Sequence, residues 1–274
     1  MFPLDLTGRT ALVTGSARGI GQAIAQQLAE AGAAVMLTDI DGAALEEAHA
    51  TMPGRRAMIS GDITAAEFPQ KLVDATLAEF GSLDIVVNNA GYTWDNVIQK
   101  MSDAQFQAML DIHLVAPFRV LRAASGYLRE AAKAEIAEGR RVMRKVVNIT
   151  SISGTCGNAG QIGYAAGKAG INGMTLTLAK EWGRYNVCVN SVGYGFIETR
   201  LTQPLGSAGA AIEMKGHQIP VGVQPKAIEA MKSITPLGRL GSVEEAAGPV
   251  LFFCSPLSDY VTGEVLIVSG GGHF

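Results

Sequence analysis

Seven short, uncharged runs recur along the chain: Ala11–Val13, Val35–Thr38, Ala57–Ile59, Ile85–Val87, Val146–Ile149, Val187–Val192 and Val265–Val268. Ala- and Leu-rich stretches of helix length separate most of them. No other feature narrows the fold as far. A strand buried on both faces reads as a continuous apolar, β-branched-rich run, and helices between such strands cover both faces of a parallel sheet. The expected fold is α/β, a doubly wound parallel sheet with helices on both faces and right-handed crossovers. With no linker and no repeat at solenoid period, residues 1–274 read as one domain.

Two stretches interrupt the rhythm. Residues 133–145 lengthen the connection into the run at 146, and residues 200–234 form a long segment containing Gly and Pro after the run near 190. Ligands bind at the carboxyl ends of strands in such sheets, and long connections there serve as lids. The segment 200–234 is therefore expected to be a substrate lid.

Composition narrows the class. A chain of 274 residues, 48% of them hydrophobic, can bury a large core. Its net charge of −3 lacks the basic footprint of a nucleic-acid binder. The cluster Arg140, Arg141, Arg144 and Lys145 reads as a solvated helix end. The three cysteines, Cys156, Cys188 and Cys254, have no metal-ligand spacing and suit a reducing, cytoplasmic setting. Neither a secretory leader nor a run of roughly 18 apolar residues is present, so no membrane association is expected.

The first apolar run leads straight into T-G-S-A-R-G-I-G, Thr14 to Gly21. Gly15 permits a tight turn, and Gly19, Ile20 and Gly21 open a helix whose free N–H groups and positive dipole end suit a diphosphate. Placed between strand and helix, this turn marks a dinucleotide site and a Rossmann-type sheet. Asp39 ends the second run, 18 residues after Gly21. A carboxylate there accepts hydrogen bonds from ribose hydroxyls and repels a 2′-phosphate, which favours NAD(H) over NADP(H). Arg18 pulls the other way, as a cation able to meet a 2′-phosphate.

Downstream lie Tyr164 and Lys168, four residues apart in Y-A-A-G-K, with Ser151 thirteen residues before the tyrosine. Residues i and i+4 share a helix face, so the ammonium is expected beside the phenol, lowering its pKa toward neutrality. Tyr164 then serves as a general acid/base, and Ser151 holds the oxygen that gains or loses the proton.

Taken in order, T-G-x-x-x-G-x-G at 14–21, Asp62 after the third run, N-N-A-G at 88–91, Ser151 and Y-x-x-x-K at 164–168 make the chain resemble the short-chain dehydrogenase/reductases over essentially its whole length, in particular the group of bacterial 3-oxoacyl-carrier-protein reductases. The resemblance implies that Asp62 and Ile63 flank an adenine and that Asn89, Ala90 and Gly91 back the cofactor. It gives Lys168 the nicotinamide ribose as well as the tyrosine. Ile197 and Thr199, in F-I-E-T, would meet the carboxamide and diphosphate. The helices near 103–133 and 164–183 would build a homotetramer.

Three positions depart from that family. His113 stands where a catalytic asparagine is usual; Pro117, lacking an N–H, is expected to free the His113 carbonyl for a water at a helix kink, with the ring as a pH-sensitive addition. Tyr194-Gly195 replaces Pro-Gly and is expected to bring an aromatic ring toward the substrate. Tyr185 stands where an arginine often helps dock acyl carrier protein, although Arg184 is adjacent. Trp94, Ser153, Gln161, Tyr194 and Phe196 are the expected substrate contacts, with Tyr92, Cys156, Met214 and His217 as further wall candidates. The expected activity is NAD(H)-dependent interconversion of a small secondary alcohol and a ketone. Reduction of a 3-oxoacyl thioester is the alternative within the same chemistry, and a silent NAD(H) sensor or subunit is the alternative outside it.

Overall fold

The computed structural model describes residues 4–203, 211–214, 217–220 and 222–272. In chain order the elements are β1 (Thr10–Thr14), α1 (Gly19–Glu30), β2 (Ala34–Asp39), α2 (Gly42–Thr51), β3 (Arg56–Ser60), α3 (Phe68–Phe80), β4 (Ile85–Asn88), α4 (Asp103–Leu110), α5 (Ala116–Ala137), β5 (Arg144–Ser151), the single turn α6 (Ser153–Cys156), α7 (Ile162–Trp182), β6 (Val187–Tyr194), β7 (Ala211–Met214), β8 (His217–Pro220), α8 (Pro225–Ile234), α9 (Val243–Cys254) and β9 (Val265–Val268). All seven apolar runs lie in one parallel sheet of order β3-β2-β1-β4-β5-β6-β9.

Successive strand residues point to opposite faces, so each strand feeds two cores. Ala11, Val13, Val35, Leu37, Ile85 and Val87 pack with α1, α2 and α9. Leu12, Met36 and Val86, one residue out of phase, pack with α3, α4 and α5 on the other face. The chain winds outward in both directions from the β1–β4 pair, which puts the topological switch point at the carboxyl ends of these two strands. Asn88 of β4 donates to Asn148 of β5 at 2.8 Å, and Asn148 donates on to Thr175 of α7 at 2.9 Å. This polar thread ties the central strands to the helix that carries Tyr164.

Two sequence expectations are corrected here. The cluster at 140–145 is not wholly a solvated helix end. Arg144 and Lys145 open β5 and are 2% and 4% exposed. Arg144 is held bidentately by Glu135 of α5, both contacts 2.7 Å, and Lys145 by Asp259 at 2.8 Å and Ser258 at 3.0 Å. Charges enter the interior here because each meets a partner that offsets its desolvation. The segment 200–234 is more structured than a loop: it holds a short 3₁₀ turn at Arg200–Thr202, the antiparallel pair β7–β8 and α8. Ile219 of β8 is 2% exposed and joins the apolar cluster of Tyr92 and Ile112, with Trp94 and Tyr164 at its margin. The side chains of Met214 and His217 lie outside the described residues.

Candidate active site

The glycine turn is clasped from β4. Asn89 Nδ2 donates to the carbonyls of Thr14 and Gly15, both at 3.0 Å, while the Asn89 and Ala90 N–H groups donate to Thr14 Oγ1 at 3.0 Å. Thr14 is thus a positioning residue that the motif reading passed over; its hydroxyl at the end of β1 was the available signal. Gly15 turns with φ +64°. At Gly21 a Cβ would come within 2.0 Å of the Gly15 carbonyl oxygen, so α1 can start this close to the strand only with glycine there. The N-cap residue, Arg18, makes no side-chain cap, which leaves the first N–H groups of α1 without a side-chain acceptor. A crevice with unused donors beside a bare glycine turn fits a dinucleotide diphosphate.

Asp39 borders this cradle. Its Oδ2 accepts from Ala17 N at 3.1 Å and its Oδ1 from Asp41 N at 3.1 Å. The carboxylate is thereby fixed with lone pairs to spare for ribose hydroxyls. The Arg18 guanidinium is ion-paired with Asp41 across the crevice mouth. Asp62 sits on the loop after β3, where its Oδ1 accepts from the Thr64 N–H and hydroxyl at 2.8 and 2.7 Å. Ile63 is 8% exposed and packs into the core cluster rather than standing free. Ile197 is buried and bridges Gly241, and Thr199 caps the short helical turn that follows.

Ser151 ends β5, while Tyr164 and Lys168 share one face of α7. Ser151 Oγ accepts from Ser153 N at 3.1 Å and donates to the Tyr194 carbonyl at 3.4 Å. Lys168 Nζ lies 5.7 Å from the Tyr164 ring centroid and donates to the Ile149 carbonyl at 2.7 Å. The three groups are brought together, while burial works against the expected tuning of the tyrosine. Burial pushes the Tyr164 phenol up to about 12; the Ser151 hydrogen bond pulls it down and the charge of Asp95 pushes it further up. Burial also lowers Lys168 to about 7. A lysine only about half charged at neutrality exerts little pull on a phenol whose ionisation the same burial penalises.

His113 lies in a single π turn, Asp111–Val115, joining α4 to α5. Pro117 follows in the first turn of α5. The interruption expected from Pro117 thus takes the form of a widened turn, a feature often found at functional sites. The ring is 3% exposed and stands edge-on to Tyr164, centroids 4.8 Å apart at 87°. Nε2–H donates to the Tyr92 carbonyl at 2.7 Å. Nδ1 is then an acceptor, buried and without a partner among the described residues. A Cβ on Gly91 would reach within 2.5 Å of His113 Cε1, so the ring closes directly on the N-N-A-G segment. Burial first, and then the charge of Lys168, hold the imidazole well below its usual pKa. The expected pH-sensitive ring is instead a neutral, fixed one.

The pocket wall differs in one respect from expectation. Tyr194 does not face substrate: it is 6% exposed in β6 and its hydroxyl donates to the Ala246 carbonyl of α9 at 2.6 Å. Strand period sends its side chain to the α9 face, while its carbonyl serves Ser151. Ser153 and Gln161 do meet at the mouth, Ser153 Oγ donating to Gln161 Oε1 at 2.9 Å. Trp94 and Phe196 are half-buried and Cys156 is exposed. Asp95 was missed by the sequence reading; it accepts from Gln161 Nε2 at 2.6 Å. Its position just past N-N-A-G was the available signal. Among the described residues no group of metal-ligating side chains forms, and no helix is long and apolar enough to cross a membrane.

A doubly wound sheet with a glycine cradle at its switch point, and Ser151, Tyr164 and Lys168 gathered beside it, puts the protein among the dinucleotide-binding oxidoreductases. The family profile described as enoyl-(acyl carrier protein) reductase matches residues 15–273. Proteins named 3-oxoacyl-[acyl-carrier-protein] reductase are similar: 38% identity over 272 residues in Aquifex aeolicus and 36% over 268 in Vibrio cholerae, each alignment covering 98% of both chains. The solved structure of a putative short-chain alcohol dehydrogenase from Sinorhizobium meliloti superposes with a TM-score of 0.84 at 29% identity, covering 98% of both chains. That of a short-chain dehydrogenase/reductase titled glucose/ribitol dehydrogenase, from Brucella melitensis, superposes with 0.82 at 28% and the same coverage. The chain belongs to the short-chain dehydrogenase/reductase family.

Proposed function

We propose that the protein, acting as one catalytic unit over its whole length, reduces the 3-oxo group of an acyl thioester, in the reversible ketone–alcohol chemistry of its family. The observation that carries the chemistry is the convergence of Ser151, Tyr164 and Lys168 at the end of β5 and on α7. The substrate class is supported by the relatives named above, which align over nearly the whole chain. A nicotinamide dinucleotide held by the glycine turn, Asp39 and Lys168 supplies the hydride when bound. Ser151 holds the carbonyl oxygen. Tyr164, with its pKa raised to about 12, keeps its proton at neutral pH and gives it to the far more basic alkoxide. His113 braces the tyrosine ring through its edge-on contact and its bond to the Tyr92 carbonyl.

NAD(H) is the proposed cofactor. Asp39 faces the crevice, and Arg18 is neutralised by Asp41. A broader reading, oxidation of a small secondary alcohol, is favoured by that same acidic pair and by Tyr185 in place of a docking arginine. We place the protein in the cytoplasm as a homotetramer, consistent with exposed Phe118 on α5 and Leu176 on α7. The deciding experiment follows reduced-nicotinamide absorbance with acetoacetyl-CoA, an acyl-carrier-protein thioester, and a panel of ketones, alcohols and diols, each with both cofactors. Turnover of alcohols and ketones without turnover of thioesters overturns the thioester reading. Absence of all turnover, with NADH still bound, favours the sensor.

A further inference from the structure

The loop after β4 and the loop between α6 and α7 are joined across the mouth of the site. Asn96 N donates to the Gly160 carbonyl at 2.9 Å, and Gln161 Nε2 donates to Asp95 Oδ2 at 2.6 Å. The direction of the second bond is fixed. Gln161 Oε1 already accepts from Ser153 Oγ at 2.9 Å and Asn158 Nδ2 at 3.0 Å, so only the amide N–H groups remain to face Asp95. Asp95 is therefore held as an acceptor. The same network continues through Ser153 N to Ser151 Oγ at 3.1 Å, linking the carboxylate to the group that holds the substrate oxygen.

No described lysine or arginine offsets this carboxylate. Asp95 is exposed to solvent on one side, while partial desolvation on the other raises its pKa and the Gln161 bond lowers it. Through Gln161 and Ser153 the carboxylate lies two side chains from the Ser151 hydroxyl at the active centre. Tyr92 and Trp94, on the same loop after β4, belong to an apolar cluster. An uncompensated negative charge beside an apolar pocket acts on any charge a substrate brings close to the reacting carbon.

We propose that Asp95 is a specificity-determining residue that turns away substrates with a negative charge beside the reacting carbonyl, so that the site takes 3-oxoacyl thioesters and neutral ketones and discriminates against free 3-oxo acids. The inference rests on the oxo-reduction reading above. In a thioester the carbon two bonds from the reacting centre belongs to a neutral carbonyl; in the free acid that same carbon is the carboxylate. Gln161 positions the charge, and Asp95 supplies it.

The test compares kcat/KM for ethyl 3-oxobutanoate and for the 3-oxobutanoate anion in the parent protein, D95N and Q161A. The amide introduced by D95N keeps an acceptor for Gln161 and removes only the charge. The parent should prefer the ester by about tenfold or more, and D95N should narrow that preference by at least about fivefold. Q161A should slow both substrates and narrow the preference less than D95N does, because the charge is displaced rather than removed. An unchanged preference in D95N overturns the proposal, as does equal narrowing in both variants, which would make Asp95 only a clamp. If the parent reduces neither compound, the oxo-reduction reading fails. Charge discrimination is then read by titrating the same two compounds into NADH-loaded protein, where D95N should tighten the acid relative to the ester; equal affinities in parent and variant overturn it.

Discussion

The imidazole of His113 stands edge-on to the phenol of Tyr164, with ring centroids 4.8 Å apart and planes at 87°. A residue on the π turn between α4 and α5 thus touches Tyr164 on α7, and its Nε2–H is spent on the Tyr92 carbonyl. The tyrosine is framed by a neutral ring on one side and the Lys168 side chain on another.

Replacing Tyr164 with Phe keeps the ring contact and removes the proton. Turnover should fall by about 10²- to 10⁴-fold, the usual worth of general acid catalysis. The NADH dissociation constant, measured by fluorescence titration, should stay within about threefold, since the cradle on α1 and β2 is untouched. Unchanged turnover would remove Tyr164 from the chemistry.

His113→Asn should retain most of the activity, because the ring braces rather than carries the proton. It should also change acid stability. The folded pKa of His113 lies well below its ordinary value, so in the window beneath about pH 6.5 the unfolded chain binds a proton that the folded chain does not. Stability falls as pH drops through that window. Denaturant melts at pH 5.5 and 7.5 should show a smaller loss in H113N than in the parent.

Lys168 gives the complementary signature. Its folded pKa is about 7 against an ordinary value of 10.5. Below pH 7 both folded and unfolded chains hold the proton, and the full cost of the buried ammonium is present. Between about 7 and 10.5 only the unfolded chain holds it, so this contribution makes stability rise with pH. Lys168→Met should therefore raise Tm most near pH 6, with the gain shrinking toward pH 9.

Cofactor choice should follow the two acids on β2 and its following turn. Asp39→Ala should narrow the preference for NADH over NADPH by about tenfold. Asp41→Ala should release Arg18 from its ion pair and tighten NADPH while leaving NADH nearly unchanged. Parent affinities that are equal, or that favour NADPH, would reverse the cofactor assignment.

Tyr194→Phe tests the correction at β6. Loss of the hydroxyl removes one of the hydrogen bonds to the Ala246 carbonyl, which keeps its place in the α9 ladder, at a cost of about 0.5–1.5 kcal/mol in unfolding free energy. KM should not move, because the ring packs beneath α9. A rise in KM without loss of stability would put Tyr194 back in the pocket.

The order of apolar runs and helical stretches determined the doubly wound sheet, because period and burial are local properties written in side-chain type. T-G-S-A-R-G-I-G and Y-A-A-G-K were equally legible, since a tight turn and a shared helix face are fixed by spacing within a few residues. What the sequence left open depends on distance through space and on solvent. Tyr194 follows strand phase into the core; Arg144 and Lys145 are buried because Glu135 and Asp259 meet them; Asp95 meets Gln161 only because another loop brings that side chain across. The protonation of Tyr164 and Lys168 belongs with these. Four residues of separation put the two on one face of α7, but burial, which only the packed tertiary structure sets, pushes the phenol pKa up and the lysine pKa down.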